Sequence, residues 1–311
     1  MLDRLKTEWT YLSGSLRILM RLRASRRHKD RTFSEVIQDL ASKHPHNIAI
    51  YFEDQSISYE SYNARANKIA RWAVKNNLQK GDAVAVLLPN YPDFLMTWLG
   101  IIRAGGIAAL LNTNLRGKSL AHCLNVVNAE RVIVNRALYP SVLSSLEHLD
   151  KRPDIWVLDG GVEDRPCLED ELAPISGEAM NPEEKVKLHI NDTALYIYTS
   201  GTTGMPKAAK ISHVRMLAIM HGFSAAANAK PSDRNYITLP LYHSSGGLAA
   251  TGMVLTVGGS VILKDNFSAS DFWDDCVKYR ATICQYIGEL CRYLLQQPEK
   301  ESDKAHHLWM A

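Results

Sequence analysis

The chain has 311 residues, of which 46% are hydrophobic, and its formal net charge at pH 7 is +3. A chain of this length buries a large core and predicts about two domains, at roughly 100–200 residues per domain. The near balance of charge argues against a nucleic-acid-binding protein, whose body would be strongly basic.

The cysteine and histidine patterns restrict the class further. The five cysteines include no C-x-x-C pair, and their number is odd, which argues against a disulfide framework and a structural zinc site. The eleven histidines include no H-E-x-x-H pattern, so we expect no zinc held by protein ligands. A reducing, intracellular compartment fits this composition best.

Basic charge is concentrated at the start of the chain. Residues 1–31 contain nine Lys or Arg and three acidic residues, so this segment carries +6 (9 − 3) and the remainder −3. The pattern over residues 3–24 predicts an amphipathic helix, which either contacts a membrane surface peripherally through residues 3–27 or docks on its own domain. Charges interrupt the apolar residues, so the segment is not a signal peptide. The apolar residues at helical spacing are Leu5, Trp9, Leu12, Leu16 and Leu19.

From Thr32 onward, helical and strand patterns alternate. Thr32 and Glu35 form a capping-box pattern before the first helix. The alternation predicts βαβ units, and therefore an α/β fold with parallel sheets flanked by helices. Strands are predicted over residues 48–52, 83–88, 107–111, 131–134, 154–158, 193–198, 207–211, 235–239, 260–264 and 281–286. Further helices are predicted over residues 94–104, 117–127, 140–147, 213–227, 247–257, 268–279 and 288–297.

One stretch has two interpretations. Residues 94–111 are apolar apart from Thr97 and Arg103, which is long enough for a membrane span. Gly105 and Gly106 divide the stretch into a helix and a short strand, so we favour buried core and predict no transmembrane span. Residues 160–190 are rich in Gly, Pro, Asp and Glu and predict a surface connection.

The most informative stretch is Y-T-S-G-T-T-G-M-P-K, at residues 198–207. Four hydroxyl side chains, two glycines and one lysine lie within residues 199–207, directly after a predicted strand. Such a loop presents backbone N–H groups and hydroxyls to one place, which is typical of polyphosphate binding. It is not a Walker A sequence, since Pro206 precedes Lys207 and Ala208 follows it. The alternative is a surface loop that is simply rich in Gly and Thr.

This stretch resembles the phosphate-loop signature of the adenylate-forming (AMP-binding) superfamily, which includes acyl-CoA synthetases, luciferases and peptide-synthetase adenylation domains. Residues 267–276 and 285–295 resemble the very long-chain acyl-CoA synthetase and fatty acid transport protein branch. The likeness covers roughly residues 32–311. It implies that the basic segment at 1–31, known from its charge, is followed at 32–311 by the large N-terminal AMP-binding domain. That domain is expected to be incomplete at its C-terminal end, with the small C-terminal domain absent.

The resemblance implies a long-chain or very long-chain fatty acid–CoA ligase, an acid–thiol ligase that uses ATP, Mg²⁺ and coenzyme A. In this family Lys207 would add positive charge at the phosphates, and Thr202 would help to place Mg²⁺. The resemblance assigns the β- and γ-phosphates to Thr199, Ser200, Gly201, Thr202, Thr203, Gly204 and Lys207.

A second stretch, P-L-Y-H-S-S-G-G at residues 240–247, follows a predicted strand. By resemblance, Tyr242 and His243 lie beside the acyl carboxylate and the α-phosphate. His243 would donate a hydrogen bond to developing negative charge, and Tyr242 would gate the acyl channel. The alternative is that His243 only caps or packs the start of the next helix. Residues 285–289 are either a pocket wall or simply strand, turn and helix.

Several motifs of the family have no counterpart in this sequence. These are an adenine-contacting Gly-rich segment, a Y-G-x-T-E motif, a ribose-binding aspartate, a hinge and the lysine-bearing C-terminal domain. We therefore expect the chain by itself not to complete adenylation or thioester formation. A protein for fatty acid uptake at the cytoplasmic face of a membrane, without turnover, is the alternative function. A non-catalytic nucleotide-binding module is a third. The preferred acyl chain length, and a bile or carnitine-type acid as substrate, stay open.

Overall fold

A computed structural model describes residues 12–23, 31–162, 165–199 and 204–311 of the chain. Its contacts divide the chain into two compact units. The continuous unit is Glu60–His213, and the split unit combines Met1–Tyr59 with Val214–Ala311. Each unit has one β-sheet of its own.

The strands of the described residues are β1 (Ile48–Phe52), β2 (Gln55–Ser58), β3 (Ala83–Leu87), β4 (Ile107–Leu110), β5 (Arg131–Asn135), β6 (Asp154–Leu158), β7 (Thr193–Thr199), β8 (Lys207–Ser212), β9 (Arg234–Ile237), β10 (Ser260–Leu263) and β11 (Ile283–Cys284). The α-helices are α1 (within 12–23), α2 (Phe33–Lys43), α3 (Tyr59–Lys75), α4 (Pro92–Arg103), α5 (Gly117–Val126), α6 (Tyr139–Leu143), α7 (Leu168–Leu172), α8 (His213–Ala226), α9 (Thr251–Leu255), α10 (Phe272–Lys278) and α11 (Gly288–Leu295).

The sheet of the continuous unit has the strand order β6-β5-β3-β4-β7-β8. All neighbouring pairs are parallel except β7 and β8, which form an antiparallel hairpin. β3 and β4 are buried along their whole length, as expected for strands covered on both faces. The predicted α/β fold with mostly parallel sheets is confirmed. β8 is antiparallel to its neighbour, unlike the other strands of this sheet. Only residues 200–206 join it to β7, whereas a parallel crossover needs a dozen or more residues.

The sheet of the split unit has the order β11-β9-β10-β1-β2. β11, β9, β10 and β1 are mutually parallel, and β2 pairs antiparallel with β1 at the edge. Sequence reasoning does not find β2, because its sequence Q-S-I-S is half exposed and lacks an apolar alternation. Polar residues of this kind suit an edge strand, since only one of its sides is paired.

Some elements differ from their predicted extent. The predicted helix 140–147 is α6 followed by a separate 3₁₀ turn at Leu146–His148. The predicted strand 281–286 shortens to β11. The predicted helix 247–257 begins as a π-helix, Ser245–Ala250, and continues as α9. Periodicity locates these elements, but their ends depend on tertiary contacts that it does not report.

Two local predictions are confirmed. The Thr32 backbone N–H donates to Glu35 Oε2 at 2.7 Å, which is half of the predicted capping box. The apolar stretch 94–111 forms α4, every residue of which from Phe94 to Arg103 is buried, and then β4. Gly105, with φ of +85°, lies between them. Among the described residues, no helix combines the length and apolar character needed to cross a membrane.

Helix α1 docks on the split unit through its arginines. Arg17 Nε donates to Ala225 O at 3.3 Å. Arg21 donates to Ser224 Oγ at 2.6 Å and to Ala229 O at 3.4 Å. Residues 3–11 and 24–27 of the predicted membrane segment lie outside the described residues. The apolar side chains of α1 that are more than half exposed are Leu12, Leu16, Leu19 and Met20.

Candidate functional site

The predicted phosphate loop joins two paired strands of the continuous unit. β7 ends at Thr199, β8 begins at Lys207, and these two residues are partners in the antiparallel ladder. Because β7 is parallel to β4, the loop leaves the carboxyl edge of a parallel sheet, where α/β proteins bind ligands. The predicted loop residues that lie outside the described residues are Ser200, Gly201, Thr202 and Thr203.

The described residues of this loop suit a phosphate ligand. Thr199 and Lys207 are exposed, so a hydroxyl and a cation are accessible at the two ends of the loop. Gly204 has φ of +86°, and a Cβ added there would meet no atom within 4 Å. Backbone in this left-handed region favours glycine and helps to turn N–H groups toward an anion. The three residues therefore fit the phosphate-binding role that the sequence predicts.

Helix α5 contacts the chain on both sides of the loop. Before the loop, the buried Tyr198 hydroxyl donates to Cys123 O at 2.6 Å. At the end of the loop, His122 Nε2 lies 2.9 Å from Pro206 O. Sequence reasoning assigns a role to neither His122 nor Cys123. The periodicity of α5 predicts which face is buried, but no local signal names the segment that covers it.

The second candidate stretch lies in the split unit, after the carboxyl end of β9. The rings of Tyr242 and His243 are 4.5 Å apart between centroids and inclined at 54°. Tyr242 is half-buried, whereas His243 is exposed. The His243 carbonyl accepts a hydrogen bond from Gly247 N at 2.8 Å. The backbone of His243 thus joins the start of the helix, while its ring stays available to a ligand.

Two glycines fix the shape of this turn. A Cβ on Gly246 would lie 2.5 Å from Pro240 O, and one on Gly247 would lie 2.0 Å from Leu241 O. Both distances are too short for any real Cβ contact, so only glycine allows the turn to rest directly on the helix. That helix begins with the π-helical segment, a form that is frequent at functional sites.

Partial desolvation favours the neutral form of both side chains. Partial desolvation lowers the pKa of His243 below its ordinary value, and it raises the pKa of the Tyr242 hydroxyl. His243 is therefore a neutral imidazole at pH 7, with one nitrogen that donates and one that accepts. A neutral donor of this kind suits an oxygen that gains negative charge during a reaction.

The described residues do not provide a metal centre made of acidic, cysteine and histidine side chains. Within 12–23, 31–162, 165–199 and 204–311, no group of three His, Cys, Asp or Glu residues is placed to hold a metal ion. The predicted Mg²⁺ contact, Thr202, lies outside these ranges. A cavity of about 300 Å³ lined by Asp82, Glu130 and Arg131 lies at the amino ends of β3 and β5. It is therefore at the opposite edge of the sheet from the phosphate loop.

Comparisons with known proteins identify the same family as the resemblance in the sequence. A family model described as AMP-binding enzyme matches residues 37–309. Long-chain fatty acid transport protein 6 of Mus musculus is 42% identical over 271 residues, covering 86% of this chain and 44% of that protein. The medium/long-chain-fatty-acid–CoA ligase FadD6 of Mycobacterium tuberculosis is 36% identical over 276 residues, covering 88% of this chain and 45% of that protein.

A solved structure has a similar fold. The crystal structure of ATP-bound MatB from Rhodopseudomonas palustris matches with a TM-score of 0.75 and 26% identity, covering 88% of this chain and 54% of MatB. The chain spans less than half the length of the two curated relatives.

Proposed function

Because the chain belongs to the AMP-binding enzyme family, we propose that it carries the nucleotide- and acid-binding part of a long-chain or very long-chain fatty acid–CoA ligase. The names of its relatives, a long-chain fatty acid transport protein and a fatty-acid–CoA ligase, support this substrate class. In the proposed reaction the fatty acid carboxylate attacks the α-phosphate of ATP and pyrophosphate leaves. The thiol of coenzyme A then attacks the acyl carbon of the adenylate, and AMP leaves.

The observation that carries the proposal is the phosphate loop at the carboxyl edge of the sheet, closed by the Thr199–Lys207 pair. Thr199, Gly204 and the loop residues between them hold the β- and γ-phosphates through hydroxyl and N–H donors. Lys207 places positive charge beside the outer oxygens. Thr202 would help to hold Mg²⁺, which would supply further positive charge at the phosphates. Catalysis of this kind depends on positioning and on charge stabilisation.

The turn at residues 240–247, called the aromatic–histidine turn because it carries Tyr242 and His243, supplies the acid side of the reaction. His243 is assigned as the donor to the oxygen that gains charge, and Tyr242 as the gate of the acyl channel. The exposed His243 ring and its lowered pKa support this assignment, because a neutral ring keeps one N–H for donation and adds no cation that must be desolvated.

Fatty-acid-dependent exchange of ATP with labelled pyrophosphate tests the function. The chain is assayed as it is, beside a form extended by the C-terminal half of a related ligase. We expect exchange in the extended form only, because the chain spans less than half the length of the two curated relatives. Exchange by the short chain would show that the added half is not required. No exchange in either form would favour the uptake or nucleotide-binding alternatives.

The membrane contact that the uptake alternative requires is supported by one specific observation. Helix α1 turns Arg17 and Arg21 toward its own unit. Its exposed apolar side chains are Leu12, Leu16, Leu19 and Met20. An exposed apolar stripe in a segment of charge +6 fits peripheral contact with anionic lipid at the cytoplasmic face of a membrane. This contact is compatible with ligase activity. An assay of turnover, and not one of membrane binding, therefore distinguishes the ligase from the uptake protein.

Liposome sedimentation tests this contact. Removal of residues 1–31, or the double substitution Leu16→Ser and Leu19→Ser, should release the chain from vesicles that contain anionic lipid. Val126→Ser is the matched control, because Val126 is half exposed on the continuous unit. If vesicle binding is the same for all of these forms, the membrane contact through α1 is wrong.

A further inference from the structure

Helix α5 holds both ends of the phosphate loop, and the two contacts come from adjacent residues. Cys123 O accepts a hydrogen bond from the hydroxyl of Tyr198, the residue that precedes Thr199 at the start of the loop. His122 Nε2 contacts the carbonyl of Pro206, one residue before β8 begins. Tyr198 also lies in the hydrophobic core of the continuous unit together with Cys123. The helix therefore fixes the separation and the direction of the two chain segments that lead into and out of the loop.

The chemistry of the His122 contact defines its direction. Pro206 O is a carbonyl oxygen and only accepts, so the His122 ring must carry a proton on Nε2 and donate it. Pro206 itself has no N–H with which to make a compensating bond. Its carbonyl precedes Lys207, the cation of the loop, by a single peptide unit. A change in the orientation of this carbonyl therefore moves the start of the Lys207 side chain.

We propose that His122 is a positioning residue for the phosphate loop, which sets the place of Lys207 through its hydrogen bond to Pro206. At the other end of the loop, the hydrogen bond from the Tyr198 hydroxyl to Cys123 O positions the chain that leads into the loop. This inference rests on the proposed function, in which the loop binds the phosphates of a nucleoside triphosphate. Because the loop is proposed to hold the β- and γ-phosphates, the effect of His122 should be specific to ligands that carry them.

Binding of ATP and of AMP to the full chain, measured by isothermal titration calorimetry, tests the proposal. His122→Phe keeps a flat ring but removes the donor, and should weaken ATP binding by about three- to tenfold, the range that one hydrogen bond supports. AMP binding should stay unchanged, because AMP has no β- or γ-phosphate. His122→Gln, whose amide N–H has a similar reach, should restore most of the affinity for ATP.

The control is His148→Phe, because the His148 ring contacts Glu147 at 3.1 Å rather than the loop. Equal affinity of the wild-type chain and His122→Phe for ATP would overturn the proposal, and so would an equal loss for ATP and AMP. If His122→Phe does not fold, Tyr198→Phe removes the other contact and is judged by the same ATP and AMP measurements. A wild-type chain that binds no ATP would instead overturn the proposed function, and this inference with it.

Discussion

Gly247 tests how the turn that carries Tyr242 and His243 is fixed. A Cβ at Gly247 would lie 2.0 Å from Leu241 O, which is 1.0 Å inside the 3.0 Å limit that real Cβ atoms respect. The obstructing atom is a backbone oxygen, so it cannot rotate away as a side chain would. We therefore expect Gly247→Ala to lower the free energy of unfolding by about 1–3 kcal/mol, the usual cost of overpacking.

Gly222→Ala is the matched control for this substitution. Gly222 lies in α8 of the same unit, and a Cβ there would meet nothing within 4 Å. Alanine is preferred to glycine inside a helix, so Gly222→Ala should raise the free energy of unfolding by roughly 0.5–1 kcal/mol. Urea denaturation followed by circular dichroism measures both variants. If Gly247→Ala is as stable as Gly222→Ala, the turn does not rest on the helix as closely as the structure indicates.

Three further predictions concern charge. Lys207→Ala should weaken ATP binding by roughly tenfold in a calorimetric titration while Lys207→Arg keeps most of it; equal affinities would contradict a phosphate role. Burial lowers the pKa of His213 to about 4. The unfolded chain therefore binds an extra proton between pH 6.5 and about 4, and stability falls as pH falls through this window. His213→Gln should flatten that part of the stability–pH curve measured by urea denaturation. Asp275→Asn removes a largely buried ion pair with Lys264 at 2.9 Å and should cost about 1–3 kcal/mol. Asp54→Asn, at an exposed pair, should change the denaturation midpoint little.

The position of the loop between β7 and β8 could be predicted because its signals are local. The strand before it is β-branched and aromatic, and its hydroxyls, glycines and lysine are adjacent in the chain. The antiparallel direction of β8 could not be read from periodicity, which reports the buried face of a strand and not its neighbours. For the same reason, the contact between His122 and Pro206 has no signature in the sequence. It depends on how α5 packs across the hairpin.

The aromatic–histidine turn shows a different limit. The structure places Gly246 and Gly247 against the backbone oxygens of Pro240 and Leu241, an approach within the chain itself that the sequence pattern does not predict. A regular helix was expected over 247–257, yet the segment starts as a π-helix at Ser245. Over a single helical turn, the spacing of apolar residues does not distinguish a π-helix from a regular α-helix. The family resemblance, rather than any pattern of spacing, identified His243 as a site residue, and its role is still a proposal.

The N-terminal helix shows how two alternatives from sequence become compatible in a structure. A docked helix and a membrane-facing helix appear exclusive as long as docking is expected to bury the leucines. In α1, docking uses Arg17 and Arg21, and the leucine face stays exposed. An apolar patch that faces water, such as the leucines of α1, is unfavourable unless another surface covers it. The orientation of α1 therefore supports the proposed membrane contact through its exposed apolar side chains, and that contact is still a proposal.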